Sequence, residues 1–182
     1  MPLRRGGSRV VPSKGSTRTD TSGRLKSEQL DDPARRLVWA IAAVSARLED
    51  LRHFWAEALG VSGPQWLILM AVNDYGAAGG APVREIATRL EVDSSFVASQ
   101  SKRLEEAGFL TRSVSKKDSR VIILSLTAQA QKGFSRLEIR QSALNEFIYK
   151  DLSRGELDEI VTKLMTLSER LEKASLRLEL EA

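Results

Sequence analysis

Between Pro82 and Leu126 the sequence changes its period twice, and few folds accommodate that order. Pro82 to Leu90 (PVREIATRL) puts Ile86, Ala87 and Leu90 on one helical face. Glu91, Val92 and Asp93 then break the pattern. Asp93 or Ser94 can cap a new helix that runs to about Ala107, where Gly108 stops it. Phe109 to Val114 and Arg120 to Leu126 are two β-branched runs around the polar cluster Ser115, Lys116, Lys117, Asp118 and Ser119, which reads as a hairpin. Two short helices three or four residues apart have the spacing of a helix-turn-helix, here followed directly by a β-hairpin wing.

Longer helices flank this unit. Leu37, Ile41, Val44, Leu48, Leu51, Trp55 and Ala58 or Leu59 keep the spacing of an amphipathic helix that Asp31 or Asp32 with Pro33 can start and Gly60 can stop. Pro64 opens a second helix, apolar on every side from Trp66 to Val72, which places it at the centre of the core and covered all round. Asn73 to Ala81, with Gly76, Gly79 and Gly80, reads as a loop; a phosphate cradle would need a preceding strand and a following Lys-Ser/Thr. Thr127 caps a helix over about Ala128 to Lys150, and Ser153 with Glu156 makes a capping box for the last one. There Leu157, Ile160, Leu164, Leu167, Leu171, Ala174 and Leu178 hold heptad a and d spacing, a seam that packs lengthwise on another helix.

The expected fold is therefore mainly α: a winged helix-turn-helix over 61–127, with long helices over 31–60 and 128–182 forming a dimerisation region through Leu37, Ile41, Leu157, Ile160, Leu164, Leu167 and Leu171. Residues 1–30 hold seven Lys/Arg, two acids and almost nothing to bury, and read as a flexible basic arm. The chain's net charge of +4 comes from that arm, since the remaining residues carry 21 basic and 22 acidic groups. Any case for nucleic acid must then rest on local arrangement in the body.

Cysteine is absent and His53 is the one histidine, which removes disulfides, thiolate nucleophiles and metal sites built on two or more such ligands. No cofactor is expected. The adjacent pairs Glu105/Glu106 and Asp31/Asp32 do not share a helix face, and no nucleophile with a base appears, so an enzyme is not expected. The start lacks the apolar stretch of a secretory signal and no apolar run reaches eighteen residues, which reads as a cytoplasmic chain without a membrane segment.

Helical geometry separates the two sides of the helix after Asp93: Val97, Ser101 and Leu104 turn inward, while Ser95, Ser99 and Lys102 point outward, flanked by Phe96, Ala98 and Arg103. Ser94 and Ser95 at its N-terminus suit phosphate or base edges, and Phe96 and Ala98 suit thymine methyls. Gln100, able to read adenine, lies nearer the core side. In the hairpin, Arg112, Lys116, Lys117 and Arg120 flank the turn, where a narrow A·T-rich minor groove would attract arginine.

The order of elements and the segments GPQWLIL (63–69), VREIATRLEVDSS (83–95), RLEEAGFLTR (103–112) and DSRVIILSLT (118–127) resemble the MarR family of bacterial regulators. Arg112, Asp118 and Arg120, followed by an apolar strand and Leu-Thr, are the most specific part. The chain departs from the family where Leu-Gly becomes Leu90-Glu91, where the glycine of LT-x-x-G becomes Ala130, and where T-x-T-R becomes Phe96, Val97, Ala98 and Ser99. The resemblance implies a homodimeric repressor on double-stranded, pseudo-palindromic DNA. It gives Arg120 the role of the wing arginine in the minor groove and Asp118 that of the acid that orients it. It also implies a small organic effector held between dimer helices and DNA-binding lobe, with Trp39, His53, Trp55 and Trp66 as candidate lining. The recognition helix is similar to a subgroup that controls breakdown of aromatic acids and senses their CoA thioesters. The competing expectation is an architectural or interaction protein with the same wing and arm but no small-molecule control.

Overall fold

The structure, a computed structural model, describes residues 32–76 and 79–181. The arm expected over 1–30 lies outside them. The chain divides into two units after Leu51. What is described of the first is the N-terminal part of helix α1 (Pro33–Leu59). The Asp32 carboxylate caps it, accepting the Ala34 N–H at 3.1 Å. Along this stretch Leu37, Val38, Trp39, Val44 and Leu48 are exposed and Ile41 is half-buried.

In the second unit α1 ends at Gly60, which takes φ 80° while the Val61 N–H donates back to the Ala56 carbonyl at 2.9 Å. Helix α2 (Gly63–Asp74) starts one residue before the expected Pro64, because Ser62 and Gln65 form a reciprocal capping box. Its Trp66, Ile68, Leu69, Ala71 and Val72 are buried, but Met70 is 41% exposed, so the helix is not covered all round. A further strand, β1 (Ala81–Pro82), precedes α3 (Val83–Leu90); α4 (Ser94–Glu106), β2 (Leu110–Val114), β3 (Ile122–Leu126), α5 (Ala128–Tyr149) and α6 (Arg154–Glu181) follow.

Pro82 corrects the expected start of α3. It belongs to β1, whose Ala81 and Pro82 pair antiparallel with Leu124 and Ile123, giving the sheet order β1-β3-β2. Proline cannot donate to a ladder and is tolerated at such an edge, where its extended ψ of 142° also precedes the first helical residue. Gly80 allows the approach: at φ 114° it lies so close to the Leu124 carbonyl and Ser125 that a Cβ would overlap both. The second hairpin run likewise begins at Ile122 rather than Arg120, with Val114 opposite Ile122 and Leu110 opposite Leu126.

The core gathers Ile68, Leu69 and Val72 of α2, Ile86 of α3, Val97 and Leu104 of α4, Leu110 of β2 and Leu124 of β3. Each side chain of this size contributes roughly 1.5–3 kcal/mol when fully buried, which welds α2, α3, α4 and the wing base into one body. Thr127 caps α5 through the Ala130 N–H at 3.2 Å and donates its own hydroxyl to the Gly108 carbonyl at 2.7 Å. Ala130, where the family's glycine would stand, is fully buried. The Ser153/Glu156 box starts α6 as expected. No residue of α6 is buried.

Candidate nucleic-acid interface

The turn between α3 and α4 is tight enough to need a left-handed residue. Glu91 supplies it at φ 53°, ψ 43°, while the Glu91 and Val92 N–H groups donate to the carbonyls of Thr88 and Ala87. A non-glycine residue there carries strain of about 1–2 kcal/mol. Asp93 caps α4, accepting the Ser95 N–H at 2.8 Å. The bonds from Ser95, backbone first and hydroxyl second, hold the Asp93 carboxyl below the usual carboxylate range.

On α4, Val97, Ser101 and Leu104 are fully buried, the inward set that helical geometry predicts. Ser94, Ser95, Phe96, Ser99, Lys102 and Arg103 are exposed and Ala98 is half-buried. Gln100 is half-buried and accepts a bond from Gln65 Nε2 at 3.4 Å, which commits its amide toward α2.

Arg112, expected among the cations that flank the wing turn, is engaged within the fold. Its side chain is only 15% exposed and turns back onto α4. The guanidinium donates to the Ser101 hydroxyl and, at 3.0 Å, to the Ala98 carbonyl. Its Nε lies 3.7 Å from the Glu105 carboxylate, which also accepts the Arg112 backbone N–H at 3.1 Å. A buried hydroxyl is costly unless bonded, and Arg112 supplies Ser101 with its donor. Ser101 and Glu105 are thus structural partners that the sequence reading left aside. A polar residue on the inward stripe of α4 was the available signal.

At the wing tip the Ser115 N–H donates to the Val121 carbonyl at 2.8 Å, closing a turn that exposes Lys116, Lys117 and Ser119. Asp118 Oδ1 accepts the Arg120 backbone N–H at 3.0 Å and its Nε at 3.2 Å, and Oδ2 accepts Nη2 at 3.4 Å. These bonds, the backbone one foremost, hold the Asp118 carboxyl below the usual range. The Arg120 side chain remains 90% exposed. Oriented at one edge by Asp118 and open to solvent elsewhere, it can enter a groove of negative potential.

Three of the four residues expected to line an effector cavity, His53, Trp55 and Trp66, belong to the second unit. Trp66 is buried and stacked on Phe134 at 5.0 Å, and Trp55 is buried with its ring edge-on to Phe54. Large aromatic rings on the inward face of a helix are core before they are lining. His53 is exposed, and Trp39 lies in the first unit, 70% exposed. A cleft of about 520 Å³ lies elsewhere, between Ala58 and Leu59 of α1, Phe109, and Gln129, Lys132 and Arg136 of α5.

The MarR family profile matches residues 61–122, which span α2, the helix-turn-helix and the wing. The HTH-type transcriptional regulator YfiV of Bacillus subtilis is 30% identical over 151 residues, 81% of this chain and 91% of that protein. The chain belongs to the MarR family. As such it is a DNA-binding transcriptional regulator. A second relative, the HTH-type transcriptional repressor MdtR of Bacillus subtilis, is 31% identical over 124 residues, 66% of this chain and 78% of that one. The S. aureus MepR structure, solved with DNA, superposes with a TM-score of 0.62 at 16% identity, covering 74% of this chain and 95% of MepR, and has the same fold. No helix among the described residues is long and apolar enough to cross a membrane.

Proposed function

We propose that this MarR-family chain acts in the cytoplasm as a repressor, binding a pseudo-palindromic operator as a homodimer and leaving it when a small aromatic acid or its CoA thioester binds. The observation that carries the reading is the wing: Arg120, almost fully exposed and held by Asp118, stands on the same folded body as the outward serines of α4. In this reading Ser94, Ser95, Phe96, Ala98, Ser99, Lys102 and Arg103 meet the major groove, and Lys116, Lys117 and Arg120 meet the flanking minor groove. The basic arm adds a salt-sensitive attraction to phosphates.

Dimerisation is supported by α6, a 28-residue helix with no buried residue whose Ile160, Leu164 and Leu171 are exposed. An apolar seam of that length is stable when a second helix covers it. That the relative MdtR is a transcriptional repressor supports repression. For the effector, the cleft on α5 offers Lys132 and Arg136 one turn apart above the apolar Leu59 and Phe109, a pairing suited to an anionic ligand with a flat apolar body.

The test is a titration on duplex DNA selected by the purified protein from a random pool. A panel of aromatic acids and their CoA thioesters is added, and release of DNA by at least one member is expected. Binding that no panel member alters, in a protein with a two-fold footprint, would favour the architectural alternative.

A further inference from the structure

We propose that Arg112 is a positioning residue that locks the wing to the recognition helix α4, so that the two DNA-reading elements move as one body. This rests on the reading of α4 and the wing as the DNA interface and goes beyond it. Covalently, β2 is joined to α4 only through the short Ala107–Phe109 segment. The wing tip beyond Val114 and Ile122 is tied down by hairpin bonds alone. Arg112, two residues into β2 from Leu110, reaches back across this joint to about two turns of α4: the Ala98 carbonyl, the Ser101 hydroxyl and the Glu105 carboxylate.

The chemistry of the three acceptors explains why a guanidinium serves here. Its donors lie in one rigid plane, so meeting acceptors on one helix face sets the rotation of the strand about that helix as well as its distance. Ser101 Oγ itself donates to the Ala98 carbonyl at 3.1 Å, leaving its lone pairs for Arg112. The bonds are shielded on the Arg112 side, where water competes less for them. Apolar packing of Leu110 against Leu104 is non-directional, and the β1–β3 pairing ties the sheet to the segment before α3 rather than to α4, so Arg112 is the directional tie between β2 and α4 itself. The rotation of β2 about α4 matters because α4 and Arg120 must reach a major groove and the neighbouring minor groove together.

The absence of cysteine permits a direct test. Spin labels are attached through Lys102→Cys on α4 and Ser119→Cys at the wing tip. Labelled chains are diluted into unlabelled protein so that only distances within one chain are read. The parent should give a single narrow distance distribution. Arg112→Met, which keeps the apolar stem and removes the guanidinium, should broaden it while the circular dichroism spectrum stays folded. Arg112→Lys should restore part of the narrowing. Should Arg112→Met fail to fold, Glu105→Ala removes two of the contacts from a partly exposed position and should broaden the distribution to a lesser degree. An unbroadened distribution in the folded Arg112→Met protein, or in Glu105→Ala where Met is not tolerated, overturns the proposal.

Affinity for the selected duplex gives the second readout. Arg120→Ala should weaken binding about tenfold or more in the parent but far less in the Arg112→Met background, because a wing no longer held cannot place its arginine. Fully additive losses would count against Arg112 as a positioning residue. If Arg120→Ala changes nothing in the parent, it is the wing reading of the DNA interface that fails, and the spin-label distances alone decide the role of Arg112.

Discussion

Asp118 engages Arg120 through three bonds, to its backbone N–H at 3.0 Å, to Nε at 3.2 Å and to Nη2 at 3.4 Å, yet leaves the guanidinium almost wholly in solvent. The acid therefore selects a direction for the arginine without removing its charge from use. Its own ionisation is favoured by the same bonds.

A pH dependence follows from that shift. The folded pKa of Asp118 lies below the unfolded one, so the contact is fully present above the usual carboxylate range and is lost only as pH falls through the lower, folded value. The Arg120 Nε–H chemical shift should stay constant from neutrality down to about pH 5 and move only in stronger acid. Asp118→Asn should weaken DNA binding severalfold at neutral pH, less than Arg120→Ala does. A midpoint near neutrality in the NMR titration would show that another group orients the arginine.

Glu91 offers a stability test. Replacing it by glycine removes the left-handed penalty, offset in part by the greater freedom of glycine in the unfolded chain. The expected net gain is about 1 kcal/mol, or roughly 2–4 °C in Tm. Glu91→Ala, which keeps a Cβ, should give no comparable gain. Because Glu91 is exposed and its turn keeps the same geometry, DNA affinity should follow the parent in both variants. A lower Tm for Glu91→Gly in thermal unfolding would mean that the glutamate side chain makes a compensating contribution.

The proposed dimer seam is tested by Leu164→Asp and Leu171→Asp. Both positions are exposed in the single chain, so neither substitution disturbs the folded core. An unpaired carboxylate in an apolar interface costs several kcal/mol. Light scattering at low micromolar concentration should then report monomers, and DNA affinity should fall with the loss of the second half-site. A variant that stays dimeric assigns the interface elsewhere.

The proposed interface gives base reading to Ser99 and charge to Lys102. Ser99→Ala should alter the preference at one or two positions in each half-site by about 1–3 kcal/mol per base pair, with half-site centres about one helical turn apart. Lys102→Ala should weaken binding to all sequences alike and reduce the salt slope by about 1. Competition binding against single-base operator variants separates the two patterns. A uniform loss for Ser99→Ala would remove it from base readout.

What the sequence determined by itself is whatever depends on neighbours along the chain. The helix order, the hairpin, the caps at Asp93, Thr127 and Ser153, the stop at Gly108 and the inward set Val97, Ser101 and Leu104 all follow from spacing within a few residues, and the structure has each of them. Strand β1 escaped because two residues carry no period; pairing with β3, some forty residues away, makes Ala81–Pro82 a strand. Arg112 looks in sequence like any other wing cation, and Trp55 and Trp66 look like any aromatics of an amphipathic helix. Only the tertiary structure decided that one guanidinium is committed to Ser101, Ala98 and Glu105 while another, at Arg120, stays almost wholly in solvent, and that Trp55 and Trp66 belong to the core. Periodicity reports which side of an element faces inward, whereas the partner a side chain finds there is set by elements brought together from distant parts of the chain.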